Sequence, residues 1–526
     1  LPKVVGQPIE RVDGYVKVTG RAVYTRDMKL PNMLYARVKK SPYPHARIVK
    51  IDASRALEIP GVVAVITGRD FPVIETVNRP PLARDEALYY GQWVAAVAAE
   101  TKELAEIAVE NIDVQYEELP YVYDPELAMS DKTPTIIRHP GEVTEAPNVG
   151  SHYHLEQGDV DEAFKRADLI VENRFTTPPE SHFQLETVSV LADPDPDGGV
   201  TLWMPAEGAH RFRVEIATYL GLDPSLVRVK IPFIGGRFGP QDQASIGAVC
   251  AKLALITKRP VKLELTREEN ILHAIRSGAV IYIKDGVMKD GRIIARQIKA
   301  IYNGGAYGSI SNTLLFRSIM VATENYNIPN IRVDAYRVYT NFTPNTPKRA
   351  PYGYQISNAI EFQMDMIADM LKMSPVELRL KNVLKNGDVN AMGEVMENIH
   401  YSEVLTEAAK MINLNEKRPP EGPWRFGKGI ALGSKYGGGG AGQAEVEVRE
   451  DGKIVVNIDL IDNGAGTFTG ITQIVAEEFG VSPEDVVLLP LINGTDSSTS
   501  GIGVSATASR QTAIMGKAVV DACSNA

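Results

Sequence analysis

The 526-residue chain is 44% hydrophobic and 23% charged, with a formal net charge of -10. That is long enough for about three to four domains with large cores, and the negative charge without a long basic run argues against nucleic acid as a partner. Two cysteines, Cys250 and Cys523, exclude an iron–sulfur cluster held by this chain alone, which takes about four thiolates, and the histidines are scattered with no HExxH pair. No apolar run reaches the roughly 20 residues that span a bilayer, no signal peptide precedes Leu1, and the missing Met points to trimming, so the expectation is a soluble protein in a reducing cytoplasm.

The first part of the chain, residues 1–125, alternates β-branched runs with turn signals. Strands are expected over Arg21–Tyr24, Met33–Val38, Gly61–Thr67 and Gln92–Ala98, a helix over Thr101–Ile112, and a strand over Val114–Tyr116. This reads as an α+β domain. Residues 126–150 read as a linker.

The segment 151–410 carries expected helices at Asp159–Arg166, Arg211–Leu220, Ala244–Ile256 and Glu361–Leu371, with Ser374-Pro375 opening another. Its expected strands are Leu169–Phe175, Thr187–Ala192, Val227–Ile231 and Val261–Leu265. After the Pro/Gly-rich stretch Arg418–Pro423, the segment 411–526 reads strand (Ile454–Ile461), loop (Asp462–Gly470), helix (Thr472–Phe479), strand (Val486–Pro490), loop (Asn493–Ser505) and helix (Ser509–Ala522). A last domain that stops after a helix reads as incomplete.

Three loops rich in Gly, Ser or Thr precede expected helices: Gly235-Gly236-Arg237-Phe238-Gly239, Gly464-Ala465-Gly466-Thr467, and Ser500 to Ser509. Glycine allows close backbone approach and positive φ. Free N–H groups at a helix start attract anions, and hydroxyls add donors. The loops read either as three unrelated turns or as one cradle for a long anionic cofactor. A Rossmann site fits less well, because the second loop has GxGxxxG spacing, and no P-loop motif occurs.

Around these loops the sequence resembles the molybdenum hydroxylase family of xanthine dehydrogenase and aldehyde oxidase. Val227 to Gly239 is similar to the strand leading to its GGGFG loop. Arg317-Ser318 with Tyr326 to Arg332, Thr346 to Gln355 around Arg349, Asp462 to Gly480, and Thr495-Asp496 with Ala508-Ser509 and Gly516 to Val519 follow in family order. The opening (Gly6, Arg11, Asp13, Gly20, Tyr24, Asp27, then Ser41 to Arg47) resembles its N-terminal hammerhead domain.

The resemblance implies an α/β hammerhead domain followed by two molybdopterin-binding domains. It implies molybdenum held by a pterin dithiolene, as the cytosine dinucleotide form, with no protein ligand to the metal. Gly236, Phe238 and Gly239 would face the pterin and the oxo end of the metal, with Arg349 beside them. Gly464, Ala465, Gly466 and Thr467 would take the phosphate side, completed by Ala506, Ala508 and Ser509. Asp242 and Arg317 stand where the purine-oxidising branch contacts substrate; Arg317 could also be a structural ion pair.

Several positions depart from the family. The GQG loop reads Gly464-Ala465-Gly466. A glutamine expected beside the apical oxo ligand is Glu207, an anion that there must be protonated or paired. Ala350 replaces the copper-binding cysteine of the carbon-monoxide-oxidising branch. Pro351 and Tyr436 with its following glycines replace two phenylalanines of the purine oxidisers, so a planar purine is disfavoured. No residue matches the family's catalytic glutamate, which lies in a further C-terminal portion. A second chain supplying that portion, or a truncated copy, accounts for this; exposed half-domain surface favours the former.

The implied function is molybdenum-dependent hydroxylation or dehydrogenation of an aldehyde or N-heteroaromatic small molecule, with water as the oxygen source. The expected partners are a chain completing the second molybdopterin domain, an iron–sulfur subunit with [2Fe-2S] centres, and an FAD subunit. Rival readings are a same-fold subunit with non-standard chemistry and a degenerate cofactor-binding scaffold.

Overall fold

The computed structural model describes residues 3–74, 79–139, 146–239, 243–308, 311–416, 419–435, 437–489, 493–495 and 505–526. Asp242, Tyr436, Asp496 and Ser500 lie outside these residues. The architecture is α+β, as the sequence implies.

Its backbone is one eight-stranded sheet that runs through all three sequence segments. In spatial order the strands are Asn493–Gly494, Val227–Ile231, Val200–Trp203, Ser189–Pro194, Val261–Glu264, Leu34–Lys40, Trp93–Ala99 and Val62–Thr67. The seam between the first and second segments is parallel, with Leu34 opposite Val261 and Ala36 opposite Leu263. A strand covered on both faces reads as a continuous apolar run rather than an alternation, as Trp93–Ala99 does. Trp93–Ala99 is buried at every position. The helix Gln243–Thr257 is apolar nearly all round and is buried from Gln243 through Ala251, as expected for a helix packed on several sides. It lies on the sheet beside the helix Ala209–Leu220, and Phe212, Ile216, Val249 and Leu253 share their core.

A second sheet of five strands takes the order Val149–Gln157, Ile331–Tyr339, Ile293–Gly305, Ala279–Val287, Leu169–Thr177. Sequence pattern assigns strand only to the last of these. The 149–157 strand begins where a linker is expected. The helix Gly353–Leu371 packs on this sheet through Ile356, Ile360, Met364 and Ile367. It starts eight residues before the expected Glu361, because Gly353, Ser357 and Asn358 dilute the apolar period. Inside, the Arg296 guanidinium donates to both oxygens of Asp285 at 2.7 and 3.1 Å, with both side chains fully buried.

A three-stranded sheet, Ala444–Val448, Ile454–Ile458 and Val486–Leu489, carries the helices Thr467–Phe479 and Gln511–Asn525. A smaller one, Glu86–Ala87, Ala46–Asp52 and Asp113–Glu118, completes the N-terminal part. The first residues of the chain leave that part altogether. The Val4 and Val5 amides donate to Glu477 Oε2 at 2.8 and 2.6 Å, and Gln473 Nε2 donates to the carbonyls of Val4 and Gln7. Among the described residues no helix is long and apolar enough to cross a membrane.

Candidate functional site

The glycine loop 235–239 leaves the C-terminal end of the Val227–Ile231 strand. Three of its residues have left-handed backbone: Gly236 (φ 97°), Phe238 (φ 58°) and Gly239 (φ 111°). A Cβ on Gly239 would sit 2.8 Å from the Pro347 carbonyl oxygen, and one on Gly235 would overlap Glu186 Cβ. These two glycines are therefore required by close packing. Phe238 is strained and yet leaves 43% of its surface exposed. A bulky side chain held at positive φ and turned outward is a pattern that clusters at functional sites.

Two carboxylates brace the region. Glu186 accepts from the Gly235 amide at 2.7 Å, while its own amide donates to the Gly235 carbonyl. Burial pushes the Glu186 carboxyl up to about 7, against the pull of the Gly235 hydrogen bond. Asp462, also buried, accepts from the Gly464 and Gly466 amides with one oxygen at 2.7 and 3.4 Å. Its other oxygen pairs with Arg11 at 3.3 Å, and Arg11 Nη1 donates to the Gly464 carbonyl. In the sequence Arg11 is only a family marker. Its role as an anchor for a loop more than 450 residues away has no local signal.

A continuous path links the sequence-identified loops. The Arg349 amide donates to the Phe238 carbonyl at 2.9 Å. Arg237, next to Phe238, is ion-paired with Glu207, Nε to Oε1 3.3 Å. The Ala506 amide donates to the Glu207 carbonyl at 2.8 Å. Asn463 Nδ2 donates to the Ala506 carbonyl at 3.3 Å. Gly464 follows Asn463. Thus Gly236, Phe238, Gly239, Arg349, Glu207, Ala506 and the 464–467 loop are one cluster, although they come from distant stretches of the chain. Ala508 (φ 56°) and Ser509 (φ 53°) are both left-handed, and the Ala508 carbonyl accepts from Gly438.

The second loop is more open than the first. Gly464 has φ 108° but nothing within 4 Å of a Cβ built there, and Ala465 is exposed. Gly466 ends the loop in left-handed conformation (φ 82°), and the helix beginning at Thr467 has no side-chain cap and no acidic residue in its first turn. The amides of Gly464 and Gly466 are turned to Asp462, so the part of this loop left to meet an anion is the start of the helix.

Arg317 lies on the helix Phe316–Thr323 and lines a cleft of about 510 Å3. Ala350, Pro351, Tyr354, Glu361 and Lys435 line it too. The cleft adjoins the loop cluster through the arginine loop: Arg349 is bonded to Phe238 and the next two residues form the cleft wall. Ala350 (φ 64°) and Tyr352 (φ 61°) give this turn its shape. Glu361 fixes the wall, accepting from Tyr326 Oη, Arg379 Nε and the Leu432 amide. Lys435 is held below its usual range by burial and then by Arg317. Lys348, beside the arginine loop, is lowered to about 8 by burial and by Arg276. Asp242, the other expected substrate residue, lies outside the described residues.

The donors present decide how a pterin-held metal would fit. Among the described residues no three His, Cys, Asp or Glu side chains converge as a metal site. A metal in this cluster would have to arrive with donors of its own. The loops are mostly backbone: rich in glycine, left-handed at several positions, and one of them leads into an uncapped helix start. Such a surface suits a flat, hydrogen-bonding, anionic group.

Three family models match the chain. Residues 19–120 match the "aldehyde oxidase and xanthine dehydrogenase, a/b hammerhead domain", and residues 142–383 and 394–526 each match a "molybdopterin cofactor-binding domain". A probable xanthine dehydrogenase subunit of Bacillus subtilis is 32% identical over 521 residues, covering 97% of this chain and 68% of that protein. The nicotinate dehydrogenase large molybdopterin subunit of Eubacterium barkeri is 36% identical over 417 residues, covering 77% of this chain and 96% of that subunit. Among solved structures, the aldehyde oxidoreductase of Desulfovibrio gigas superposes with a TM-score of 0.86 at 27% identity, over 99% of this chain and 60% of that one.

Proposed function

Because this chain belongs to the xanthine dehydrogenase and aldehyde oxidase family of molybdopterin-binding large subunits, we propose that it holds a molybdenum–pterin cofactor in its loop cluster and serves a hydroxylase or dehydrogenase of an aldehyde or N-heteroaromatic compound. The observation that carries this is the path of hydrogen bonds, chain neighbours and one ion pair from Arg349 through Phe238, Arg237, Glu207 and Ala506 to the 464–467 loop. Unrelated turns would have no reason to be joined.

When bound, the cofactor supplies the redox chemistry that inserts an oxygen from water. The chain's own residues bind and orient it. Gly236, Phe238 and Gly239 present backbone to the pterin, with Arg349 alongside. Thr467 at the helix start, with Gly464, Ala465 and Gly466, takes the phosphate side of a cytosine dinucleotide form. Ala506, Ala508 and Ser509 close the cradle. Glu207, paired with Arg237, stands at the metal end as a compensated charge. Arg317 and Asp242 contact substrate; a guanidinium over a substrate carbonyl stabilises negative charge as it develops.

Electrons are proposed to leave through [2Fe-2S] and FAD subunits in a cytoplasmic complex. Two relatives named as subunits support the presence of partner subunits. The test is to purify the native complex and measure molybdenum, pterin and product oxygen. About one molybdenum per chain, and 18O from labelled water in the product, are expected. A complex without pterin sinks the reading.

A further inference from the structure

We infer that Arg237 and Glu207 are a positioning pair, an internal ion pair that sets the spacing between the 235–239 loop and the 505–509 loop. Arg237 sits among glycines, in a loop proposed to meet an anionic group, yet only 1% of its surface is exposed. Its guanidinium points into the protein. Nη1 donates to the Pro205 carbonyl and to Gln243 Oε1, Nε lies 3.3 Å from Glu207 Oε1, and the guanidinium carbon lies 5.3 Å from the centre of the Phe212 ring. Glu207 is 3% exposed.

The pair acts on both sides of the site. Arg237 fixes the glycine loop to the 205–207 segment. The Glu207 carbonyl accepts from the Ala506 amide at 2.8 Å, and a Cβ on the following Gly208 would lie 2.7 Å from Ser505 Oγ. The 505–509 loop therefore rests directly on the backbone that Arg237 grips. A buried charge is tolerated because the opposite charge answers it, and removing one strands the other.

Such coupling has a non-additive signature. The inference rests on the proposed function only in calling the loops a cofactor cradle; the coupling itself is read without cofactor. The experiment is amide hydrogen exchange over 235–239 and 505–510 in the purified complex, for Glu207→Gln, Arg237→Met and the double variant, with molybdenum content measured alongside. Each single variant is expected to speed exchange in both loops by about 10-fold or more, and the double variant to return within about 3-fold of the unmodified protein. If a single variant cannot be purified, recovery of the double variant supports the pair, and failure of the double variant overturns it. Single variants that leave both loops within about 2-fold of the unmodified protein overturn it, as does a double variant whose effect is the product of the singles. Coupled loops in a complex lacking molybdenum would sink the cofactor assignment and leave the pair standing; molybdenum with uncoupled loops would do the reverse.

Discussion

The 235–239 loop is gripped from inside: Glu186 holds the Gly235 amide with no cation bonded to it among the described residues, Arg237 is buried behind it, and Pro347 leaves no room beside Gly239. The 462–467 loop is held by the buried Asp462, itself tethered to the half-exposed Arg11 reaching in from the start of the chain, with open space at Gly464. Both are strand–glycine loop–helix units with a carboxylate clamping backbone amides. The first takes its shape from packing, the second from a polar tether. The same local motif can thus be rigid or adjustable depending on what lies behind it.

The largest expected effect separates the two. Gly239→Ala combines φ 111° with a backbone oxygen 2.8 Å from the new Cβ, and should lower unfolding free energy by about 3–4 kcal/mol, read from the denaturant midpoint. A loss under about 1 kcal/mol would mean that the first loop is not packing-limited.

Next is the clamp without a bonded cation. Glu186 is usually near 4.5 but is pushed up to about 7 by burial, so the folded chain holds the proton more tightly than the unfolded one. Its contribution is fully present below about pH 4.5 and is lost as the pH rises through about 7, by about 2–3 kcal/mol. Comparing the pH–stability curves of the unmodified chain and Glu186→Gln isolates this, since His182, lowered to about 4 by burial, has the opposite slope but is common to both. Identical slopes between about pH 4.5 and 7 would remove the distinction between the clamps.

Asp462→Ala takes the acceptor from two amides and from Arg11, and should cost about 2 kcal/mol while raising amide exchange over 463–468 and leaving 235–239 unchanged. Gly464→Ala shares the unusual φ of Gly239 but meets no neighbour, so about 1–2 kcal/mol is expected by calorimetry. A cost equal to that of Gly239→Ala would show that backbone strain alone governs both loops. Smallest of all, Ala465→Gln at an exposed position should change stability by less than about 0.5 kcal/mol, and a gain in retained molybdenum would show that this loop still reads its ligand.

Much of this is legible in the residues. The Val227–Ile231 strand matches its expected bounds, because a short β-branched run ends at Pro232 and the glycines. The first two glycine loops do precede helices, but the second helix begins at Thr467, inside the expected Asp462–Gly470 loop, because Gly470 and the hydroxyls of Thr467 and Thr469 read as loop. The 279–287, 293–305 and 331–339 strands escape a reading of pattern, although Ala279–Val287 buries all but two of its positions. Their long polar members, such as Lys284, Gln297 and Arg332, mask the alternation. The seam of Leu34 with Val261 is hidden too, because register between strands so far apart depends on the whole fold. Likewise Glu207 is visible as an anomalous charge, but its pairing with Arg237 exists only in three dimensions. Asp462 reads only as the start of a loop; that it joins Arg11 to that loop depends on residues near position 11 folding against the 467–479 helix.

The eight-stranded sheet also orders events during synthesis. Its edge strand Asn493–Gly494 pairs with Val227–Ile231, and its far edge is Val62–Thr67. At about 5–20 residues per second, the N-terminal strands leave the ribosome tens of seconds before the other edge exists. For about the first half of that interval the Leu34–Lys40 strand lacks its partner Val261–Glu264, and a nascent chain in that state is a natural client for a holding chaperone. Slowing translation after residue 264 should do less harm to yield than slowing it before.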